Sequence, residues 1–202
     1  MSSQTILETE LFNKCLDFHG HLCPGLSIGY QAAMAAMDWL ETRRAEDEEI
    51  VAIVENDACG CDAIQVITGC TFGKGNFVYR DYGKMAFTFF SRQSGKGVRI
   101  ARKADAGDPL SPEHKALLDK VREGSATEDE KKAFHEHHKT ASLRILDLPF
   151  QELFTIAAVE VPVPSKAIIA PSVNCDRCGE PTMETKLEKR DRARICRGCA
   201  AE

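Results

Sequence analysis

The stretch Ile50-Val51-Ala52-Ile53-Val54 decides the fold, because it is a short apolar run of strand type between segments of helical composition. Residues 62–68 follow it with the pattern of a short helix that begins near Asp62. Three further strand candidates come next, separated by tight turns that contain glycine: residues 76–82, 84–91 and 96–103. With a helix expected before the first strand, this order predicts an α+β fold built on a mixed, mainly antiparallel sheet.

Two helices are expected N-terminal to this stretch. Residues 8–19 place apolar side chains on one side, and Pro24 suits the first position of a second helix that runs to about Arg43. One side of the second helix carries almost no side chains, since it consists of Gly25, Gly29, Ala32 and Ala36. Such a side lets another backbone approach closely, so we expect a homodimer that packs through it.

Additional helices are expected after the sheet. Residues 111–123 and 127–146 are predicted as polar helices, with a helical turn at 149–155 and a strand near 155–161. The second polar helix carries three histidines, which its composition predicts to face solvent: His135, His137 and His138.

The proline-containing stretch 162–172 is typical of a stiff linker. We therefore expect two domains, a core of residues 1–161 with appended helices and a small ribbon of residues 173–202.

The composition is that of a globular chain. Its 202 residues are 43% hydrophobic and 28% charged. No apolar run approaches the roughly 18 residues that cross a bilayer, and no signal peptide is recognisable at the N-terminus. The net charge of −5 argues against a nucleic-acid-binding surface. Nine cysteines, an odd number, fit a reducing cytoplasm better than a set of disulfides.

Two Cys-x-x-Cys pairs close the chain, Cys175/Cys178 and Cys196/Cys199. Each pair places two thiolates on a tight turn, and the 17 residues between the pairs (179–195) form a loop of the length found in zinc-binding ribbons. Four thiolate ligands leave no open coordination position, so the spacing predicts a structural zinc ion.

A second group of metal-ligating residue types precedes the helix that begins at Pro24. His19, His21 and Cys23 lie within five residues, and the dipole of the following helix favours a thiolate at Cys23. The group is suited to a soft or borderline metal ion or to a reactive cysteine, with residues that merely fill a turn as the alternative.

A third group follows the first strand. Cys59 and Cys61 lie in the turn before the short helix, and Cys70 follows that helix. If this turn faces the His19–Cys23 segment, the soft ligands of both groups converge in one pocket; buried, inert cysteines are the alternative.

The glycine-rich segment at residues 69–75 resembles a phosphate-binding loop but lacks the residues of that motif, since Thr68 and Gly75 stand where it needs glycine and Ser or Thr. Thr71 and Lys74 are candidate ligands for an anionic cofactor, and a simple surface turn is the alternative.

Three motifs in order resemble the FmdE family, named for the E subunit of formylmethanofuran dehydrogenase, over roughly residues 12–105. They are Phe18-His19-Gly20-His21-Leu22-Cys23-Pro24-Gly25, then Cys59 with Asp62-Ala63-Ile64-Gln65, and then Thr68-Gly69-Cys70-Thr71-x-Gly73-Lys74-x-Asn76. The C-terminal ribbon is similar to the zinc ribbon of the TraR/DksA type.

The resemblance implies an α-β-α-β-β-β core and one metal-binding pocket lined by His19, His21, Cys23, Cys59 and Cys70; Cys61 is not part of the family pattern. It also implies association with the other subunits of a molybdenum or tungsten enzyme that reduces CO₂ to a formyl group. This chain is too small to perform that reaction alone, and it has no ferredoxin-type cysteine run.

Three functions are compatible with these residues. The first is a cytoplasmic zinc-containing accessory or metal-handling protein of one-carbon metabolism, with a second metal ion in the core. The second is a thiol-dependent redox enzyme in which Cys23 or Cys59 is the reactive thiol and His21 its base. The third is a ligand-sensing regulator that docks a protein partner through the ribbon.

Overall fold

A computed structural model describes residues 2–104, 106 and 111–201. The chain divides into two compact units, Met1–Lys166 and Ala167–Glu202, and the predicted linker 162–172 contains the boundary between them.

Helices and strands follow the predicted order. The helices are α1 (Ser3–Leu7), α2 (Glu10–His19), α3 (Pro24–Trp39), α4 (Gly60–Thr68), α5 (Pro112–Arg122), α6 (Glu128–Asp147), α7 (Phe150–Leu153) and α8 (Arg197–Ala201). The strands are β1 (Ile50–Val54), β2 (Phe77–Tyr79), β3 (Ala86–Ser91), β4 (Gly97–Arg102), β5 (Phe154–Ala158), β6 (Ser172–Asn174), β7 (Pro181–Met183), β8 (Leu187–Arg190) and β9 (Ala193–Cys196). The predicted α+β class is confirmed.

One mixed sheet organises the first unit. Its described strands lie in the order β2-β1-β3-β4-β5. The β1–β2 pair is parallel, with Ala52 opposite Phe77, and the remaining pairs are antiparallel. A parallel pair needs a crossover connection, which α4 and the glycine-rich segment provide.

The sheet buries both of its faces around β1. Ile50, Ala52 and Val54 belong to the main core, whereas Val51 and Ile53 pack with Phe90 on the opposite face. The main core extends into the helices, which is why β1 is apolar at every position.

The small-residue side of α3 is covered by α4 of the same chain. Ala32 and Ala36 are fully buried, and Gly29 meets Gly60 of α4. The expectation that this side packs against a second chain is therefore wrong, because an element of the same chain already occupies it.

Both helices that flank the His19–Cys23 segment have defined ends. Helix α2 ends at Gly20, which adopts a left-handed conformation with φ 93°. Helix α3 begins after Cys23, whose side chain accepts a hydrogen bond from the Leu26 amide as an N-cap. It ends at Trp39, earlier than the predicted Arg43, and Glu41 has a left-handed φ of 50°.

Helix α6 is held against α3 by a buried glutamine. Gln31 Nε2 donates hydrogen bonds to the carbonyl groups of Ile145, Leu146 and Leu148. This contact satisfies carbonyl groups at the end of α6 and fixes the side of α6 that turns toward α3.

The second unit consists of two hairpins and a short helix. Strand β6 pairs with β7, β8 pairs with β9, and α8 follows β9 directly.

Candidate metal centres

The four cysteines of the C-terminal unit come together as one group. Their sulfur atoms lie within 4.8 Å of one another, and the Sγ atoms of Cys178 and Cys196 are 4.0 Å apart. Zinc–sulfur bonds of about 2.3 Å in a tetrahedron place the sulfurs roughly 3.8 Å apart. The donor set and its spacing therefore fit a zinc ion.

Backbone amides in this group are directed at the sulfurs. The amide of Cys196 donates to Cys175 Sγ at 3.2 Å, and the amide of Cys199 donates to Cys196 Sγ at 3.4 Å. Amide donation, first from Cys178 and then from Cys196, lowers the pKa of Cys175 to about 6. The neighbouring sulfurs, Cys196 first, raise the pKa of Cys199 to about 12. Thiolates this close repel one another unless a cation balances them, so the group is arranged for a metal ion.

A second group lies in the core, where α2 ends and α3 begins. One ligand atom from each of His19, His21 and Cys23 lies within 4.8 Å of the other two. His19 Nε2 is 3.5 Å from Cys23 Sγ, and the rings of His19 and His21 lie 4.5 Å apart. The left-handed turn at Gly20 reverses the chain so that these three side chains meet.

Asp62 of α4 orients the His19 ring. His19 Nδ1 lies 2.7 Å from Asp62 Oδ2, and since an ionised carboxylate only accepts hydrogen bonds, Nδ1 is the nitrogen that donates. His19 Nε2, which points at Cys23, is then the nitrogen with a free lone pair. A carboxylate behind a histidine is the usual arrangement for a metal-ligating imidazole.

Cys59 borders this group through Gly25. A Cβ atom on Gly25 would lie 3.6 Å from Cys59 Sγ and 3.8 Å from Cys23 Sγ. Burial raises the pKa of the Cys23 thiol to about 11, and the Cys59 thiol adds to the effect. Burial therefore outweighs the expected influence of the α3 dipole, which disfavours Cys23 as a free nucleophile.

A cavity of about 860 Å³ opens beside the core group. His21, Cys23 and Cys59 line one part of it. A volume of this size is typical of a site for a small molecule.

Cys61 and Cys70 lie apart from this cavity. The Cys61 thiol donates to the carbonyl oxygen of Asn56, and the Cys70 thiol donates to that of Ile50. Burial raises the pKa of both thiols, to about 12 for Cys61 and about 11 for Cys70. Cys59 and Cys70 flank opposite ends of α4, which at 1.5 Å per residue are roughly 13 Å apart. The structure does not bring the predicted soft ligands into one pocket.

Thr71 and Lys74 form a turn on the surface. Thr71 Oγ1 accepts a hydrogen bond from the Lys74 amide, and Lys74 Nζ donates to the carbonyl oxygen of Glu46. Asn76 is fully buried and holds this turn through the Thr71 amide.

The interpretation of the α6 histidines as solvent-facing is wrong for His137 and His138. Both are partly buried and line the cavity together with His114 of α5, which the sequence analysis did not single out. His135 is exposed as predicted. A stripe of buried or partly buried positions at helical spacing was the available signal: Phe134, His138, Ser142 and Ile145.

The chain is thus an α+β protein with a four-cysteine metal clip and a His/Cys group beside a core cavity. Residues 18–155 match the family described as "FmdE, Molybdenum formylmethanofuran dehydrogenase operon". Residues 169–202 match the prokaryotic dksA/traR C4-type zinc finger. The chain belongs to the FmdE family and carries a C-terminal C4-type zinc finger.

Two similar proteins are informative, one by sequence and one by structure. A probable S-adenosyl-L-methionine-binding protein of Archaeoglobus fulgidus is 34% identical over 200 residues, which are 95% of this chain and 53% of that protein. The chain therefore spans about half the length of this curated relative. The crystal structure of an FmdE-like protein of tungsten formylmethanofuran dehydrogenase, from Syntrophus aciditrophicus, has a TM-score of 0.59 and 23% identity. The match covers 96% of this chain and 94% of that chain, and it shows the same fold.

In the part of the chain that the structure describes, no helix combines the length and apolar character required to cross a bilayer.

Proposed function

We propose that this chain is a cytoplasmic, zinc-containing accessory or metal-handling protein of one-carbon metabolism, whose core binds a second transition-metal ion. His19, His21 and Cys23 are the proposed ligands, and Cys59 is a further thiol at the edge of the group. A borderline cation such as Zn²⁺ suits this mixture of imidazole and thiolate donors.

The observation that carries the proposal is the orientation of His19. Its Nδ1 is held by Asp62 while its Nε2 faces the Cys23 sulfur. Burying a histidine and a thiol beside a cavity costs free energy unless their polar atoms are paired, and a bound cation would also stabilise the Cys23 thiolate against burial. A reducing cytoplasm keeps such thiols available.

The test separates the core metal from the ribbon metal. Cys175, Cys178, Cys196 and Cys199 are all changed to serine, and the protein is purified without oxygen and analysed for metal. We expect about one metal ion per chain to remain. Adding His19→Ala and Cys23→Ser should remove this ion, whereas adding His135→Ala, an exposed histidine, should leave it in place.

The proposal is overturned if the four-serine variant stays metal-free after incubation with Zn²⁺ while circular dichroism shows that the core is folded. It is also overturned if the His19→Ala, Cys23→Ser protein keeps its metal.

The resemblance to a dehydrogenase component supports two further parts of the proposal. These are a homodimer and association with the other subunits of a molybdenum or tungsten formylmethanofuran dehydrogenase. Both contacts must use surfaces other than the α4-covered side of α3. Light scattering of the purified chain tests the dimer, and a monomeric mass at working concentration would contradict it.

A second candidate function is the binding of S-adenosyl-L-methionine or a similar amino acid derivative. It is favoured by the cavity beside the His/Cys group and by the name of the Archaeoglobus relative. The amino and carboxylate groups of methionine can chelate a metal ion, and Arg102 lines the same cavity. Calorimetry with the metal-loaded protein should show binding that weakens in Arg102→Ala but not in Arg122→Ala, an exposed arginine of α5. Absence of binding heat would reject this candidate.

A further inference from the structure

Three histidines form a second nitrogen-rich wall of the core cavity. His114 comes from the first turn of α5, and His137 and His138 come from the middle of α6. All three line the cavity that His21, Cys23 and Cys59 also line. This histidine wall (His114, His137 and His138) shares no residue with the His19/His21/Cys23 group.

The rings of the wall contact one another directly. His114 Nε2 lies 2.8 Å from His138 Nδ1, and the rings of His114 and His137 stack with their centroids 5.4 Å apart. Phe134 packs behind the wall, with its ring 4.2 Å from that of His138. His114 is only 3% exposed, so this is a buried cluster and not a set of surface side chains.

Packing alone does not explain three imidazoles at these positions. An apolar ring would make the same contacts with Phe134 without the cost of burying polar nitrogens. A hydrogen bond between two neutral imidazoles uses one donor and one acceptor, and His137 takes no part in the His114–His138 bond. The cluster therefore holds more nitrogen donors than its own hydrogen bonding needs.

The surroundings keep these rings in the form that binds metals. Burial lowers the pKa of His114, and the charge of His137 adds to this effect. Burial also lowers the pKa of His138, with neighbouring histidines, His114 first, contributing. Neutral imidazole is the metal-binding form. Among the described residues that line the cavity there is no aspartate or glutamate; the exposed Glu113 lies 3.9 Å from His137 Nε2, too far for a hydrogen bond.

We propose that the histidine wall is a second metal site of the core, in which His114, His137 and His138 bind a borderline divalent cation such as Zn²⁺, Co²⁺ or Ni²⁺. Imidazole nitrogens are preferred ligands of these ions. Nitrogens bound at about 2.1 Å in a tetrahedral site lie roughly 3.4 Å apart. The 2.8 Å pair of His114 and His138 therefore has to open by about half an ångström, and His137 has to turn within the stack.

The site goes beyond the proposed function, since its ligands come from the appended helices α5 and α6 and include no thiol. Both metal sites would face one cavity, so a small molecule bound there would meet two cations of different ligand type.

Cobalt is the probe because its absorption reports sulfur ligation. The full chain, with its ribbon occupied by zinc, is dialysed against Co²⁺ without oxygen, and bound cobalt is counted. The double variant His114→Asn, His138→Asn should bind one cobalt ion per chain fewer than the parent. The lost ion should carry no sulfur-to-cobalt charge-transfer absorption, because the wall contains no cysteine.

Two further variants keep the test decisive if the double variant fails to fold. His137→Asn and His138→Asn, at partly buried positions, should each weaken the weaker cobalt-binding step at least tenfold. His135→Ala, on the same helix but exposed, is the matched control and should leave both steps unchanged. Equal cobalt binding by the parent and the folded wall variants would overturn the proposal.

The outcome is independent of the proposed function. His19→Ala with Cys23→Ser should remove the sulfur-to-cobalt absorption that the core contributes, and it should leave the ion at the histidine wall in place. Failure of the His19/Cys23 site would thus appear as loss of the sulfur signal in the parent, whereas failure of the wall would appear as no difference in the wall variants.

Discussion

A Cβ atom on Gly29 would lie 2.1 Å from the carbonyl oxygen of Gly60. Helices α3 and α4 therefore touch backbone to backbone at this point. The contact brings the N-terminal end of α4, with Cys59 and Asp62, against the N-terminal end of α3, which carries Cys23. The geometry of the core His/Cys group thus depends on a pair of glycines that hold no ligand themselves.

Gly29→Ala should destabilise the core and disturb the candidate metal group. The new methyl group meets backbone that cannot rotate away, so we expect about 3 kcal/mol of destabilisation, at the upper end for overpacking. In a domain of this size that lowers the melting temperature by roughly 6–12 °C. The control is Gly73→Ala, where the added carbon has no neighbour within 4 Å. Equal melting temperatures for the two variants would show that α3 and α4 can separate without cost.

The sequence was a good guide to the order of elements, because β1 and the helix caps are encoded locally. An apolar run such as Ile50–Val54 and a cap such as Thr127 with Glu130 act within a few residues. The zinc clip was predictable for the same reason, since each Cys-x-x-Cys pair is a single turn.

The candidate sites depended on tertiary packing that the local pattern does not contain. Cys70 resembled a pocket residue until the length of α4 separated it from Cys59. His137 and His138 lie on a polar helix, and their turn toward the cavity follows from contacts of α6 with α3, such as the hydrogen bonds of Gln31. The small-residue side of α3 correctly indicated a close backbone approach, but it did not say which backbone would fill it.

Asp62→Asn should weaken metal binding in the core without unfolding it. An amide at this position cannot hold the Nδ1–H of His19 as strongly as a carboxylate, so the His19 ring is less well oriented and less basic. Loss of such a partner typically lowers metal affinity roughly 10- to 100-fold. Competition with a chromophoric chelator, in the variant with a serine-substituted ribbon, measures the change.

The control for this prediction is Asp57→Asn, an exposed aspartate in the turn before α4. It should leave the affinity within a factor of two. An unchanged affinity in Asp62→Asn would mean that His19 is not oriented through this hydrogen bond.

Cys15 and Cys70 should resist alkylation in the folded protein. Both are fully buried, and burial raises their pKa values to about 12 and about 11. At a pH of about 8.5 they are therefore protonated, and only the thiolate reacts. Peptide mass spectrometry after iodoacetamide treatment should find them labelled only when guanidinium is present.

Cys178 provides the positive control for this experiment, since it is exposed and should be labelled once a chelator has removed the ribbon metal. Rapid labelling of Cys15 or Cys70 in the native protein would show that the core opens at these positions.

Loss of one ribbon ligand should unfold the C-terminal unit and leave the first unit intact. A unit of fewer than about 40 residues rarely folds without a metal or a disulfide, and a structural zinc ion supplies about 10–16 kcal/mol. Cys199→Ser removes a thiolate that groups with three others, so the unit Ala167–Glu202 should lose its zinc and its protection from hydrogen exchange. The amides of β1 and β3 should exchange as slowly as before. Ser172→Ala, an exposed change in the same unit, is the matched control and should retain both zinc and protection. If Cys199→Ser keeps the slow exchange of β8 and β9, the hairpins are stable by themselves and the zinc ion is not what folds this unit.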